Sequence, residues 1–434
     1  MEKLLEMAAK AADQAEVYAR EGRSSEVVFE NAELHDIKGE MASGLSLRVI
    51  KGGRLGFAHT RNMKSREELL ANALAALGGG VEALFDFPSK PPKAALKTFD
   101  PGIEGVSSAD LVEECGRLTG ELKAGTRGEI AAGAYSFDGT LRIANTRGLD
   151  VWARASECGQ RVGAIFPGSA CEIGAVFKAK ALAPAPRPML DQVCWLFNAG
   201  QRAVEPPGGR MKVLFMPEAM LTLAWRVMHG ASARSVYEKV SPLADKVGER
   251  VFSPEFTVTD DATDDLRPGA RPFDDEGVST ERLVLVEKGV FKGFYNDLNY
   301  AKKLGEQPTG HGYRTAMWGG DPLELKPFPW LSHLRFEPGK KTLRELVAMM
   351  DRGIILCGAL GPHSGNIPNG DYSVGVAPGL YVERGEILGR VKDAMVSGNV
   401  YETLKNVVAL GDTPAPAMGG LFPPLLCDNV SVTC

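Results

Sequence analysis

The residues best placed to do chemistry lie in Ala224-Trp225-Arg226-Val227-Met228-His229, within a run whose apolar periodicity predicts a helix over 218–233. His229 is a weak candidate metal ligand there, because a metal helix needs a second donor about one turn away and neither Ala224 nor Trp225 is one. On its residues alone, His229 reads better as a satisfied histidine on a buried helix. Arg226 beside it would oppose a bound cation.

Two more histidines stand in glycine-rich settings, His311 in Thr309-Gly310-His311-Gly312 and His363 in Gly361-Pro362-His363-Ser364-Gly365-Asn366. Histidines far apart in sequence can meet in space, so a site built from His229, His311 and His363 with an acidic loop stays open. The acidic groups are Asp260-Asp261, Asp264-Asp265 and Asp274-Asp275-Glu276. They lack the alternating order of a calcium loop and are expected to form a solvated loop. Tyr295-Asn296-Asp297 runs from a strand into a short helix, where Asn and Asp are common caps.

Asn369-Gly370-Asp371-Tyr372-Ser373 forms a glycine-containing loop entering a strand, without the Lys-Ser/Thr of a phosphate loop. A nucleotide site is not expected. Nucleophilic catalysis has no support either, since there is no Gly-x-Ser-x-Gly elbow and no cysteine in a pKa-lowering context. The seven cysteines are scattered with no Cys-x-x-Cys pair, which excludes a zinc ribbon and a disulfide framework.

The elements that must position these groups read as α+β. An amphipathic helix opens the chain, followed by short alternating runs at 26–29, 34–37, 45–50 and 54–58, with Lys51-Gly52-Gly53 as a tight hairpin. This predicts an N-terminal antiparallel sheet with covering helices, over 65–84, 108–124 and 190–203. The Pro206-Pro207-Gly208-Gly209 loop divides an N-terminal α+β domain, 1–209, from a strand-rich C-terminal domain, 210–434, that contains the 218–233 helix. A proline-rich stretch suggests a subdivision near 86–106.

At 434 residues the chain is long enough for a large core, and its net charge of −5 comes from intermixed acids and bases. No polybasic stripe marks a nucleic-acid partner. No apolar run reaches the ~18 residues of a membrane span, and no signal-peptide pattern opens the chain. The expectation is a cytoplasmic protein with no membrane partner.

Several segments together resemble the TldD/PmbA family, whose PmbA branch is also called TldE. They include Phe29-Glu30-Asn31, Arg48 through Ala58, Ser241-Pro242-Leu243-Ala244-Asp245-Lys246, Val251-Phe252-Ser253-Pro254, the stretch from Tyr295 to Gly312, Asn369 to Ser373, Gly398-Asn399 and Leu404-Lys405-Asn406. Each is weak alone; their order along the chain carries the resemblance.

The resemblance implies a zinc metalloprotease system in which TldD-like and TldE-like chains act together on unfolded peptides; older descriptions call the family modulators of DNA gyrase. The TldD-like chain is expected to carry zinc on a His-Glu-x-x-x-His helix, with a cysteine from near the carboxyl terminus. Laid on this sequence, that motif falls on Ala224 to His229, where Ala224 replaces the first histidine, Trp225 the glutamate, and only His229 matches. The region expected to hold the cysteine, about 411–420, has none.

The sequence therefore reads as a TldE-like chain with no catalytic residue and no zinc of its own, the zinc being expected in a TldD-like catalytic subunit. A homodimer is expected in isolation. Tyr295, Asn296, Asp297, His311, Asn369 and Asp371 are the candidate peptide-binding residues. Two alternatives stand beside this reading: a self-sufficient metallopeptidase homodimer, and a peptide-binding regulatory protein without a protease partner.

Overall fold

The computed structural model describes residues 1–316 and 319–434, and it is α+β with several sheets. Chain order begins α1 (Glu2–Ala9), β1 (Gln14–Glu30), β2 (Glu33–Lys51), β3 (Arg54–Thr60), α2 (Arg66–Ala75), α3 (Ser108–Gly125), β4 (Glu129–Asn145), β5 (Asp150–Ile165), β6 (Glu172–Ala179) and α4 (Arg187–Ala199). The strands form one antiparallel sheet in the order β3-β2-β1-β4-β5-β6.

The first strands are much longer than the short runs expected. Hydrophobic alternation fades between residues 20 and 26, yet β1 continues because β2 and β4 pair with it on both sides along its length. Main-chain ladders on two edges satisfy the backbone regardless of side-chain pattern. The β1–β2 turn at Asn31-Ala32, with φ of 51° and 60°, escaped the sequence reading. The Lys51-Gly52-Gly53 hairpin is where its glycines placed it, with φ of 56° and 72° at Gly52 and Gly53.

One face of this sheet is covered by helices. Val17, Leu47 and Val49 pack with Leu4 of α1 and Leu69 and Ala73 of α2. Farther along, Val27, Phe29, Ile130 and Val162 pack with Leu111, Leu118 and Leu122 of α3 and Leu196 and Phe197 of α4. The same cluster takes in Leu214, Ile355, Leu380 and Leu426 of the second half, so α3 and α4 lie between two sheets. Helix α2 stops earlier than expected, passing into a 3-10 turn at Ala76–Gly79 where successive glycines withdraw helix propensity. Ser65 does not cap it; its hydroxyl accepts from Asn62 Nδ2 at 2.8 Å.

The second half continues with β7 (Ala203–Val204), β8 (Gly209–Phe215), α5 (Leu221–Gly230), α6 (Ala233–Tyr237) and α7 (Leu298–Leu304). β8 lies inside a mixed sheet, parallel to Arg352–Leu356 and antiparallel to Leu425–Thr433. Helix α5 packs on the face of this sheet opposite α3 and α4, with Leu223, Ala224 and Val227 against Val213, Phe215 and Ile354.

The helix expected over 218–233 is broken. Pro217–Ala219 form a 3-10 turn, and after Gly230 the backbone leaves helical geometry to pair with another segment: Tyr295 N donates to Ala231 O at 3.1 Å, and Ala233 N to Tyr295 O at 2.9 Å. Gly230, the last residue of α5, leaves room for Tyr401: a Cβ there would stand 2.2 Å from its hydroxyl. No described helix is long and apolar enough to cross a membrane.

Candidate functional site

Helix α5 buries nearly all of itself, and Trp225 and His229, one turn apart, are its half-exposed members. Ala224 is buried in the core and offers no donor atom, and an indole can only donate. His229 Nδ1 lies 3.2 Å from the Ser235 hydroxyl of α6. Burial holds the imidazole below its usual pKa; Glu238 opposes that shift and Arg234 reinforces it. These residues do not fit zinc.

Among the described residues, no three His, Cys, Asp or Glu side chains come together in a way that could hold a metal ion. His229, His311 and His363 are accordingly not brought into one cluster. Cys427 is fully buried in the last strand, opposite Val213, and burial pushes its thiol pKa up. Cys434 is exposed at the chain end.

Arg226, on the same helix, is inaccessible to solvent. Its guanidinium donates to Thr222 O at 2.6 Å, Asp371 O at 2.7 Å, Ser364 O at 2.7 Å and Pro362 O at 2.9 Å. Two of those carbonyls, Pro362 O and Ser364 O, belong to the glycine-containing loop before the strand Asp371–Val376, and Asp371 O to its first residue, so Arg226 ties that loop and the strand start to α5. Burial, with only partial compensation from Tyr372 and Asp371, pulls its pKa down to about 10. The group stays charged at neutral pH.

Of the candidate peptide-binding residues, four point into the protein. Tyr295 Oη donates to Met228 O at 3.0 Å. The Asn296 amide bonds Gln307 O at 3.1 Å and accepts from Thr309 N at 2.8 Å. Asp297 caps α7, accepting from Tyr300 N at 2.7 Å. His311, buried with Asp260, places Nε2 3.4 Å from Asp260 Oδ2 and Nδ1 3.0 Å from Oγ1 of half-buried Thr309. Asn369 and Asp371 differ: Asn369 is exposed, Asp371 half-buried, and Asn399 Nδ2 donates to both Asn369 O at 2.8 Å and Asp371 Oδ1 at 2.9 Å. Asn399 is the missed member of this group; its one sequence signal was a place among the family-like segments.

The acidic segment at 274–276 is not a solvated loop. Asp274, Asp275 and Glu276 are each under 5% exposed and form a joint between the two halves of the chain. Arg48 donates to both Glu16 oxygens at 2.9 Å and to Glu276 Oε1 at 2.8 Å, while Glu276 Oε2 accepts from Leu298 N at 2.8 Å. Asp275 accepts from Arg271 at 2.5 Å, from Tyr18 Oη at 3.1 Å and from Arg314 N at 2.8 Å. Asp274 accepts three backbone N–H groups, from Gly312, Glu276 and Val278. Burial and the neighbouring Glu276 push its pKa well up. Buried charges persist where such partners replace water.

Asp297 adjoins this joint, and burial followed by Glu276 pushes its pKa up to about 8, against a lowering by Arg48. A carboxyl whose folded pKa exceeds its unfolded value contributes stability at low pH that is lost as pH rises from about 4 to about 8. Asp297→Asn keeps an acceptor for Tyr300 N and removes the ionisation. Its stability should therefore fall less steeply over that window, by up to ~1.4 kcal/mol per pH unit. Chemical denaturation at about pH 5 and about pH 7.5 reads the difference; equal slopes in parent and variant would refute it.

The fold and this helix define a metallopeptidase-like protein whose metal-helix positions carry no zinc-binding set. The "PmbA/TldA metallopeptidase C-terminal domain" matches residues 208–434, and "PmbA/TldA metallopeptidase domain 1" matches residues 15–77. The chain belongs to this family. It is 29% identical over 418 residues to a metalloprotease of Methanothermobacter thermautotrophicus, covering 92% of this chain and 87% of that one. The crystal structure of TldE from Thermococcus kodakarensis shares the fold over 100% of both chains, with a TM-score of 0.89 and 23% identity. A structure titled a putative modulator of a DNA gyrase, from Thermotoga maritima, has a TM-score of 0.84 and 25% identity, covering 100% of this chain and 99% of that one.

Proposed function

We propose that this chain is a non-catalytic, TldE-type member of the family that works beside a zinc-bearing TldD-like chain on unfolded peptides in the cytoplasm. The observation that carries the reading is Arg226. A fixed guanidinium bonded to four carbonyls lies on α5 between Trp225 and His229, so a positive charge of the chain's own stands at the helix where relatives are expected to hold a cation.

Peptide handling is supported by the outer edge of β2. β3 pairs with residues 45–51 of that strand, and beyond Gly44 no described strand continues along it. The open stretch exposes Leu34, Ile37 and Met41, the last at 89%. An extended chain could add there through main-chain hydrogen bonds, which tolerate varied sequence. Asn369 and Asp371, held by Asn399 and by Arg226, are the candidate peptide-contacting residues with access to solvent.

The test is reconstitution with a paralogue from the same genome that retains an intact His-Glu-x-x-x-His helix. This chain alone should leave an unfolded peptide intact, and adding it should raise the paralogue's cleavage rate at least tenfold. An unchanged rate would overturn the partner role. A genome with no such paralogue would do the same.

A further inference from the structure

The helix-free face of the N-terminal sheet carries a groove that the function above leaves unused. Ala42 of β2, Gly22 of β1, Gly139 of β4 and Ala155 of β5 lie side by side in one row across four strands. The Phe137 ring covers the middle of that row: a Cβ on Gly139 would stand 2.6 Å from its Cζ, and one on Gly22 3.1 Å from its Cε2. The opposite wall comes from the second half, where Leu323 sits over Gly44, 2.4 Å from where a Cβ would be. Two hollows of about 320 Å³ each meet at Arg20, Phe137 and Pro322.

In the inner hollow the polar groups are donors in excess of acceptors, whereas Glu21, Glu40 and Asp321 line the outer one beside Arg23 and Arg61. Half-buried Arg20 stands at the junction and has no carboxylate partner among the described residues. Tyr313 is 2% exposed and lines the groove, yet its hydroxyl has no hydrogen-bond partner. The Ser332 hydroxyl nearby is engaged with His333 Nδ1 at 2.8 Å. Arg314 Nε is likewise buried without an acceptor. Asp275, the carboxylate lining this hollow, is consumed by Arg271, Tyr18 and the Arg314 backbone. A buried hydroxyl left unpaired costs free energy that an incoming acceptor would recover. Leu141, Ala153, Pro322 and Trp330 make the remaining surface apolar.

We propose that this groove binds the terminal carboxylate of a peptide with an apolar last residue. The carboxylate accepts from Arg20 and the Tyr313 hydroxyl, and the last side chain lies against Phe137 and Trp330. The carboxylate follows from the groove itself; the peptide rests on the function proposed above.

Two probe pairs separate these parts: N-acetyl-leucine against N-acetyl-leucinamide, and an unfolded twelve-residue peptide ending in a free acid against its amide. Calorimetry with the full chain should show each acid binding at least tenfold tighter than its amide. Arg20→Ala, at a half-exposed position that folding tolerates, should abolish that preference, and Tyr313→Phe should weaken the acids several-fold with circular dichroism unchanged.

Equal affinity for acid and amide, or an Arg20→Ala variant that keeps the preference, would overturn the carboxylate site. The zinc-bearing paralogue's cleavage of both peptides could still respond to this chain in that case, leaving the partner role standing. If N-acetyl-leucine binds through Arg20 while neither peptide binds, the assignment to peptides is overturned.

Discussion

Arg226→Ala is expected to destabilise the protein by about 3–5 kcal/mol, because several carbonyls lose a charged donor at once. The cause is what remains behind. Thr222 O is already a helix carbonyl, but Pro362 O, Ser364 O and Asp371 O, all on half-buried residues, lose a donor placed 2.7–2.9 Å away. Each orphaned carbonyl costs about 1–3 kcal/mol unless water reaches it. The loss should be local as well as global: amide exchange should accelerate across 362–371, and Asn369 and Asp371 should lose their fixed geometry. Arg226→Lys, with three donors on a compact head, should recover part of the stability. Denaturant midpoints and exchange protection measure both. A change under about 1 kcal/mol with an unaltered loop would mean that Arg226 is not the tether.

Arg48→Met should cost a comparable ~3–5 kcal/mol, because it leaves Glu16 and Glu276 charged, buried and facing each other. Arg314, 3.4 Å from Glu16, compensates only one of them. The two acids come from different halves of the chain, so the damage falls on the joint between the N-terminal sheet and the second half. A double variant carrying Arg48→Met and Glu276→Gln should be more stable than Arg48→Met alone, since one stranded charge is removed. A double-mutant cycle gives the coupling directly, and additivity within about 0.5 kcal/mol would deny that Arg48 and Glu276 act as a pair.

These two arginines mark what the sequence could and could not convey. Features set by neighbours in the chain were legible: glycines at 52 and 53 specify a left-handed turn, Asp297 precedes a short helix it caps, and Pro217 opens a helical turn. The α+β class was legible for the same local reason. The joint was not, because Arg48 meets Glu276 across 228 positions and a cluster of acids far from any base reads as solvated. Arg226 likewise faces carbonyls about 136–145 residues away, contacts that carry no side-chain signature. The inward turn of Tyr295 follows similarly from main-chain pairing with the segment after α5, while Asn296 and His311 both meet Thr309. The length of β1 and β2 was hidden for another reason, since pairing on both edges sustains a strand whose side chains do not alternate.

The central claim is that α5 holds no metal of its own and carries a fixed side-chain cation, Arg226, on the same helix. Zinc content of the chain alone, measured after saturation with zinc and removal of loosely held metal, tests it most directly. The account predicts much less than one equivalent, no change on His229→Ala, and no cleavage of an unfolded peptide. One tightly held zinc per chain, lost in His229→Ala together with a chelator-sensitive peptidase activity, would contradict it.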